Sequence, residues 1–179
     1  MTLQEFTFTS NNHFIALEKH AFFSKSVYLV LITKNYLIGL ELNNSLSVET
    51  TDTSFTQKLP NKPTPLGTFQ NPYSYIKEKY VKQVEKKYLY DQSIFALNKN
   101  NFRIDRNDLV IVRFEGTQIK GFNYPHTGTL RIQAKSKSNS SGFNMSKNIN
   151  EKSLIIMGEQ DALAIINTIN SHNAPLVVA

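Results

Sequence analysis

The stretch TLRIQAK (129–135), followed after a polar turn by SLIIM (153–157) and then GEQDALAIINTIN (158–170), decides the fold class. In TLRIQAK, Leu130, Ile132 and Ala134 alternate with Arg131, Gln133 and Lys135, the period of a strand with one dry and one wet face. SLIIM is a short apolar run of strand length. In GEQDALAIINTIN, Ala162, Ile166 and Ile169 recur at helical spacing, and Leu163 and Ile165 broaden the stripe. Glu159 and Asp161 open that helix, where its dipole favours negative charge. Strands followed by one amphipathic C-terminal helix, here 158–171, predict a mainly β, α+β domain: a sheet closed by that helix.

Working back toward the start, DLVIVRFE (108–115), NFRI (101–104) and SIFALN (93–98) read as further strands, separated by Asn, Asp and Gly turn positions. SVYLVLIT (26–33) and NYLIGLEL (35–42) form a hairpin, and SLSVE (45–49) alternates again. The period of HFIALEK (13–19) fits a strand or a short helix. Residues 50–72 hold Pro60, Pro63, Pro65, Gly67 and Pro72 and predict a long loop. Asn71 and Pro72 then suit a helix start. The pattern of Tyr73, Ile76, Tyr80, Val84 and Tyr88 predicts a basic helix over 73–90. SKSNSSG (136–142) reads as a polar hairpin tip, and SHNAPLVVA (171–179) as an edge contact or a frayed end.

The chain of 179 residues fits one domain, with 40% apolar and 19% charged residues, a globular balance. No run reaches a membrane span of about 18 apolar residues. The start lacks a secretory pattern and cysteine is absent, which excludes disulfides and thiol chemistry and fits a cytoplasmic protein. Charge is uneven: the balance is −1 over residues 1–60, +9 over 61–147 and −2 over 148–179. A cationic middle attracts lipid head groups, nucleic acid or acidic proteins, although lysines on a solvated face also simply maintain solubility.

Motifs of enzymes are missing from the sequence: GxGxxG, GxxxxGK[ST], HExxH and GxSxG do not occur. His13 and His20, seven apart with Glu18 nearby, have the residue types of a metal site but read better as surface or partly buried histidines. His126 reads as a turn residue, and His172 lies beyond the last helix. Asp105 and Asp108 flank Arg106 and Asn107 and read as turn chemistry rather than an acid–base pair. No cofactor is expected.

YLVLITKNYLIGLEL, NFRIDRNDLVIVRF, GTLRIQAK and SLIIMGEQDALAIINTI together resemble the bacterial pleckstrin-homology-like family. Leu29 to Thr33 stand where that family carries an LxxT-type phrase, and Phe102 and Ile104 where it carries an F-x-I-like segment. The resemblance covers residues 26–49 and 92–171. It implies a seven-stranded bent sandwich closed by the last helix, with 73–90 as an insertion. It also implies a non-enzymatic binding module, peripheral at the membrane or engaged with a protein, in a family whose members often assemble into rings or dimers. The basic face expected to serve it comprises Lys77, Lys82, Lys86, Arg103, Arg106, Arg113, Arg131 and Lys135. Arginine suits bidentate phosphate contact. Nucleic-acid binding through the same cationic middle is the alternative, and a small enzyme a third.

Overall fold

The computed structural model describes residues 1–19, 25–42, 76–117, 119, 126–135 and 149–171. Seven strands form one antiparallel sheet: β1 (His13–Lys19), β2 (Lys25–Ile32), β3 (Tyr36–Glu41), β4 (Phe102–Asp105), β5 (Leu109–Glu115), β6 (His126–Lys135) and β7 (Ile149–Met157). Their order is β4-β3-β2-β1-β7-β6-β5, so among the described residues β4 and β5 are the two edges. The helices are α1 (Glu78–Val84), α2 (Ser93–Leu97) and α3 (Ala162–Asn170). HFIALEK is thus a strand, pairing with β2 on one side and β7 on the other.

Alternation sorts the sheet's two faces. Phe14, Ala16, Tyr28, Val30, Leu37, Phe102, Val112, Leu130, Ile132, Leu154 and Ile156 point to one face and pack with Ala162, Ile165, Ile166 and Ile169 of α3. That cluster draws on all seven strands, so the sheet curls around α3 as a half-barrel. The opposite, convex face of β1–β3 is also dry. Ile15, Leu17, Val27, Leu29, Leu31, Ile38 and Leu40 pack there with Leu3, Phe6, Val81, Val84, Leu89 and Ile94. The domain therefore has three layers: α3, the sheet, and a cover made of the N-terminal segment with α1 and α2.

Local chemistry sets the helix ends. Gly158 takes φ +65, a left-handed turn that suits glycine, and reverses the chain after β7. The Gln160 side chain then joins Ile15 N, Ile15 O and Met157 O, fixing the approach to α3. The Asp161 carboxylate accepts from Ala164 N as the N-cap. Leu163 is exposed, so it lies outside the buried stripe.

Two sequence expectations are corrected. The helix expected over 73–90 is seven residues long where described, ending at Val84. Its continuation is taken by the N-terminal segment: Thr2 bridges to Tyr88, and Leu89 N donates to Met1 O. SIFALN, expected as a strand, is helix α2. Asp91 Oδ1 accepts from Ser93 N, Ile94 is buried, and Asn101 Nδ2 donates to Ile94 O, closing a helical turn. SLSVE, the Pro-rich loop 50–72, the cap at Asn71–Pro72, SKSNSSG, His20 and His172 lie outside the described residues.

Candidate binding surface

Among the described residues, Arg113, Arg131 and Lys135 are exposed on the convex face of β5 and β6, whereas Ile155 and Met157 of β7 are buried on that face, and the pairing register places these charges. Leu130, Ile132 and Ala134 point at α3, so Arg131 and Lys135 point outward. Arg113 lies directly opposite Arg131, and Lys135 lies two pairs beyond Gln133's level on the same face. Opposed like charges destabilise a strand pair, and here carboxylates offset part of that. Arg131 Nε lies 3.0 Å from Glu115 Oε1, and Nη2 donates to Glu115 Oε2 at 3.3 Å. Arg131 Nη1 lies 3.7 Å from Glu151. These pairs are exposed, where an ion pair is worth roughly 0–1 kcal/mol. Along the β5 edge, Val110 and Ile111 are exposed at 37% and 42%.

The other sequence-selected cations divide among three places. Lys77, Lys82 and Lys86 lie on α1 and its flanks, exposed on the convex side. Lys82 Nζ sits 2.6 Å from Glu78 Oε1. Their hydrogen bond and attraction hold the Glu78 carboxyl below the usual range and the lysine above its own. Arg103 projects outward from β4, its guanidinium 5.3 Å from the Tyr36 ring and 5.9 Å from Phe95, and donates to Asp91 O. Arg106 belongs to the interior. It is 3% exposed and donates to Thr33 O, Thr168 O and Ile169 O, tying the β2–β3 turn to the end of α3. Burial pushes its guanidinium pKa down. The eight cations therefore do not make one face: Arg113, Arg131 and Lys135 share the sheet surface, and Arg103 meets Lys135 only across a cleft.

That cleft opens at the corner where the three-residue turn Arg106–Asp108 joins the two sheet edges. It encloses about 300 Å³ and is lined by Tyr36, Arg103, Asp105, Asp108 and Lys135, with Ile104 and Ala134 as apolar floor. Asp105 caps the turn by accepting from Asn107 N, the local chemistry its spacing suggested. A second hollow of about 330 Å³ lies on the convex face between Lys19, Glu115, Thr129, Arg131 and Ser153.

Sequence inspection missed a buried polar group on the concave side. Glu18 shares the parity of Phe14 and Ala16, and that alternation is the signal that points it inward. It meets Lys152 Nζ at 2.7 Å, with that ammonium 5.0 Å from the Phe102 ring and 5.6 Å from Tyr28. Beside it Glu41 accepts from Ser26 Oγ at 2.6 Å, Asn98 Nδ2 at 2.5 Å and Asn100 Nδ2 at 3.0 Å. Tyr28 OH donates to Asn100 O. Ser26 and Glu41 are both buried, so their hydroxyl–carboxylate pair secures β2 to β3 and the segment before β4.

His13 is buried with its ring edge-on to Phe8, and His126 Nε2 accepts from Ile119 N. Among the described residues no group of three or more His, Cys, Asp or Glu is placed to hold a metal ion. Nor is any described helix long and apolar enough to cross a membrane. No family model, curated protein or solved structure matches this chain.

Proposed function

We propose that this chain is a non-enzymatic interaction module of pleckstrin-homology-like type that binds an acidic, extended segment of a protein partner on the outer face and along the edge of β5. The strand order, with one C-terminal helix in the concave side, supports the architecture. The observation that carries the function is the Arg113–Arg131 cross-strand pair beside β5, an edge of the sheet among the described residues. An anionic side chain there relieves the like-charge opposition, and the edge backbone of β5 offers a ladder to an added strand. Val110 and Ile111, exposed on that edge, supply apolar contact for alternate residues. Charge complementarity thus selects acidic segments over basic ones.

The experiment is a titration of the full chain, at rising salt, with four probes. They are a fluorescent peptide alternating Glu and Val, its Lys counterpart, vesicles with and without acidic lipid, and a single-stranded oligonucleotide. The acidic peptide binds and the lysine peptide does not. Arg113→Glu weakens acidic-peptide binding by about tenfold or more, the scale of one charge-assisted contact in a partly dry site. Lys82→Glu with Lys86→Glu leaves it unchanged. Retention of full affinity in Arg113→Glu, or stronger binding to acidic vesicles or the oligonucleotide, overturns the proposal.

A further inference from the structure

Strand β5 carries one residue more than its pairing needs. Leu109 pairs with Ala134 and Ile111 with Gln133, so two steps along β5 match one along β6, and Val110 is the extra residue of a β-bulge. The bulge resets the alternation of the strand. Before it Leu109 points to the concave core; after it Val112 and Phe114 do. Without it, the parity of Leu109 would carry Ile111 and Arg113 inward. With it, Val110, Ile111 and Arg113 are all exposed: two adjacent aliphatic side chains, then a cation. No ion pair holds Arg113 among the described residues, whereas Arg131 is shared by Glu115 and Glu151. Bulges are over-represented where a strand re-aims a side chain beside a functional site.

This pattern sets the order of residues that a docked segment must carry. An added strand places its side chains about 4.5–5.5 Å from those directly opposite on the same face. Every strand pair of the described sheet is antiparallel, the slightly more stable arrangement per residue. An incoming antiparallel chain passes Glu115, then Arg113, then Ile111. A carboxylate opposite Arg113 is attracted, and one opposite Glu115 is repelled. An aliphatic residue opposite Ile111 covers it and Val110 together. The bulge ends regular pairing there, so the docked stretch is short and lies along residues 111–115. We infer that the bulge at Val110 makes β5 selective for a directional motif in its partner: an acidic residue followed two positions later by an aliphatic one, the acid at Arg113 and the aliphatic side chain at Ile111. The inference rests on the reading of β5 as the docking strand.

The test titrates the full chain at low salt into two fluorescent, end-capped peptides, TTETVTT and its reverse TTVTETT. They share composition and charge, so only the order of the acid and the aliphatic residue differs. Fluorescence anisotropy shows TTETVTT binding about threefold or more tighter, the scale of one cross-strand side-chain pair. Ile111→Thr removes the preference by weakening TTETVTT to the level of its reverse. Threonine keeps strand propensity at this exposed position, so the domain stays folded. Arg113→Glu weakens both peptides. Equal binding of the two orders, or tighter binding of the reverse, overturns the inference; the docking strand itself stands if Arg113→Glu still weakens both. Binding of neither peptide overturns the inference and the reading of β5 together.

Discussion

Arg106 and Tyr80 are polar groups in dry surroundings, and the same desolvation rule predicts opposite outcomes for removing them. Arg106 spans the β2–β3 turn and the last turn of α3, where helix carbonyls lack intrahelical donors. Arg106→Met strips Thr33 O and Ile169 O of their guanidinium donor inside the protein, while Thr168 O keeps the Ser171 hydroxyl. The expected loss is about 3 kcal/mol of unfolding free energy, since each stranded buried acceptor costs roughly 1–3 kcal/mol. Urea denaturation measures it, and a loss under 1 kcal/mol would show the clamp to be idle. The Tyr80 hydroxyl is buried with no hydrogen-bond partner among the described residues. Tyr80→Phe removes a desolvated group that returns no bond, so stability stays level or rises by up to about 1 kcal/mol. A drop beyond that in the same urea series would reveal a bond made by the hydroxyl in solution.

Helix α3 illustrates how far element-level reasoning reaches. Ala162, Ile165, Ile166 and Ile169 are buried and Leu163 is 68% exposed, so the helix has one dry stripe and one wet side. Ile166→Asp places an unpaired carboxylate among the concave-face side chains and unfolds the domain, while Leu163→Asp shifts stability by no more than about 0.5 kcal/mol. Thermal melts of both variants check the contrast; an Ile166→Asp protein melting like the wild type would mean α3 is not the core helix. This stripe was legible because 3.6-residue periodicity is a local property, as was the period-2 alternation of Leu130, Ile132 and Ala134. Ser93–Leu97 was not legible. Its β-compatible run Ile94–Phe95 is overruled by the Asp91 and Asn101 side chains, which satisfy the backbone of a helical turn. The length of α1 was hidden for a related reason, because Thr2 and Met1 capture the backbone of Tyr88 and Leu89 from a distance in sequence. Among the candidate site residues, strand parity alone gathers Arg113 and Arg131. The burial of Arg106 depends on the α3 terminus folding over it, which no nearby residue announces.

At the scale of the whole molecule, a sheet covered on its concave face and, over β1–β3, on its convex face leaves phenols in dry places on each face. Tyr28 lies on the concave side and Tyr80 in the convex cover. Desolvation by burial, aided by the nearby Glu41 carboxylate, raises both hydroxyl pKa values well above the ordinary phenol range. In Tyr28 the Ser26 hydrogen bond opposes this shift without cancelling it. In the unfolded chain both phenols ionise near pH 10, whereas the fold holds them protonated to higher pH. The unfolded state therefore binds fewer protons above pH 10, and stability must fall as pH rises. This contribution is intact below the unfolded pKa and is lost as pH climbs through the folded values. Phenolate absorbance followed alongside the urea midpoint from neutral to strongly alkaline pH should show these two tyrosines ionising only as the domain unfolds. Tyr28→Phe combined with Tyr80→Phe removes both groups from the linkage, so the alkaline decline becomes shallower. The double variant also reports on layering: the two phenols sit on opposite faces of one sheet, so their loss of protection on unfolding is simultaneous only if both layers come apart together. Separate alkaline transitions for Tyr28 and Tyr80, each identified by its loss in the single Phe variant, or an unchanged alkaline slope in the double variant, would refute a cooperative three-layer core.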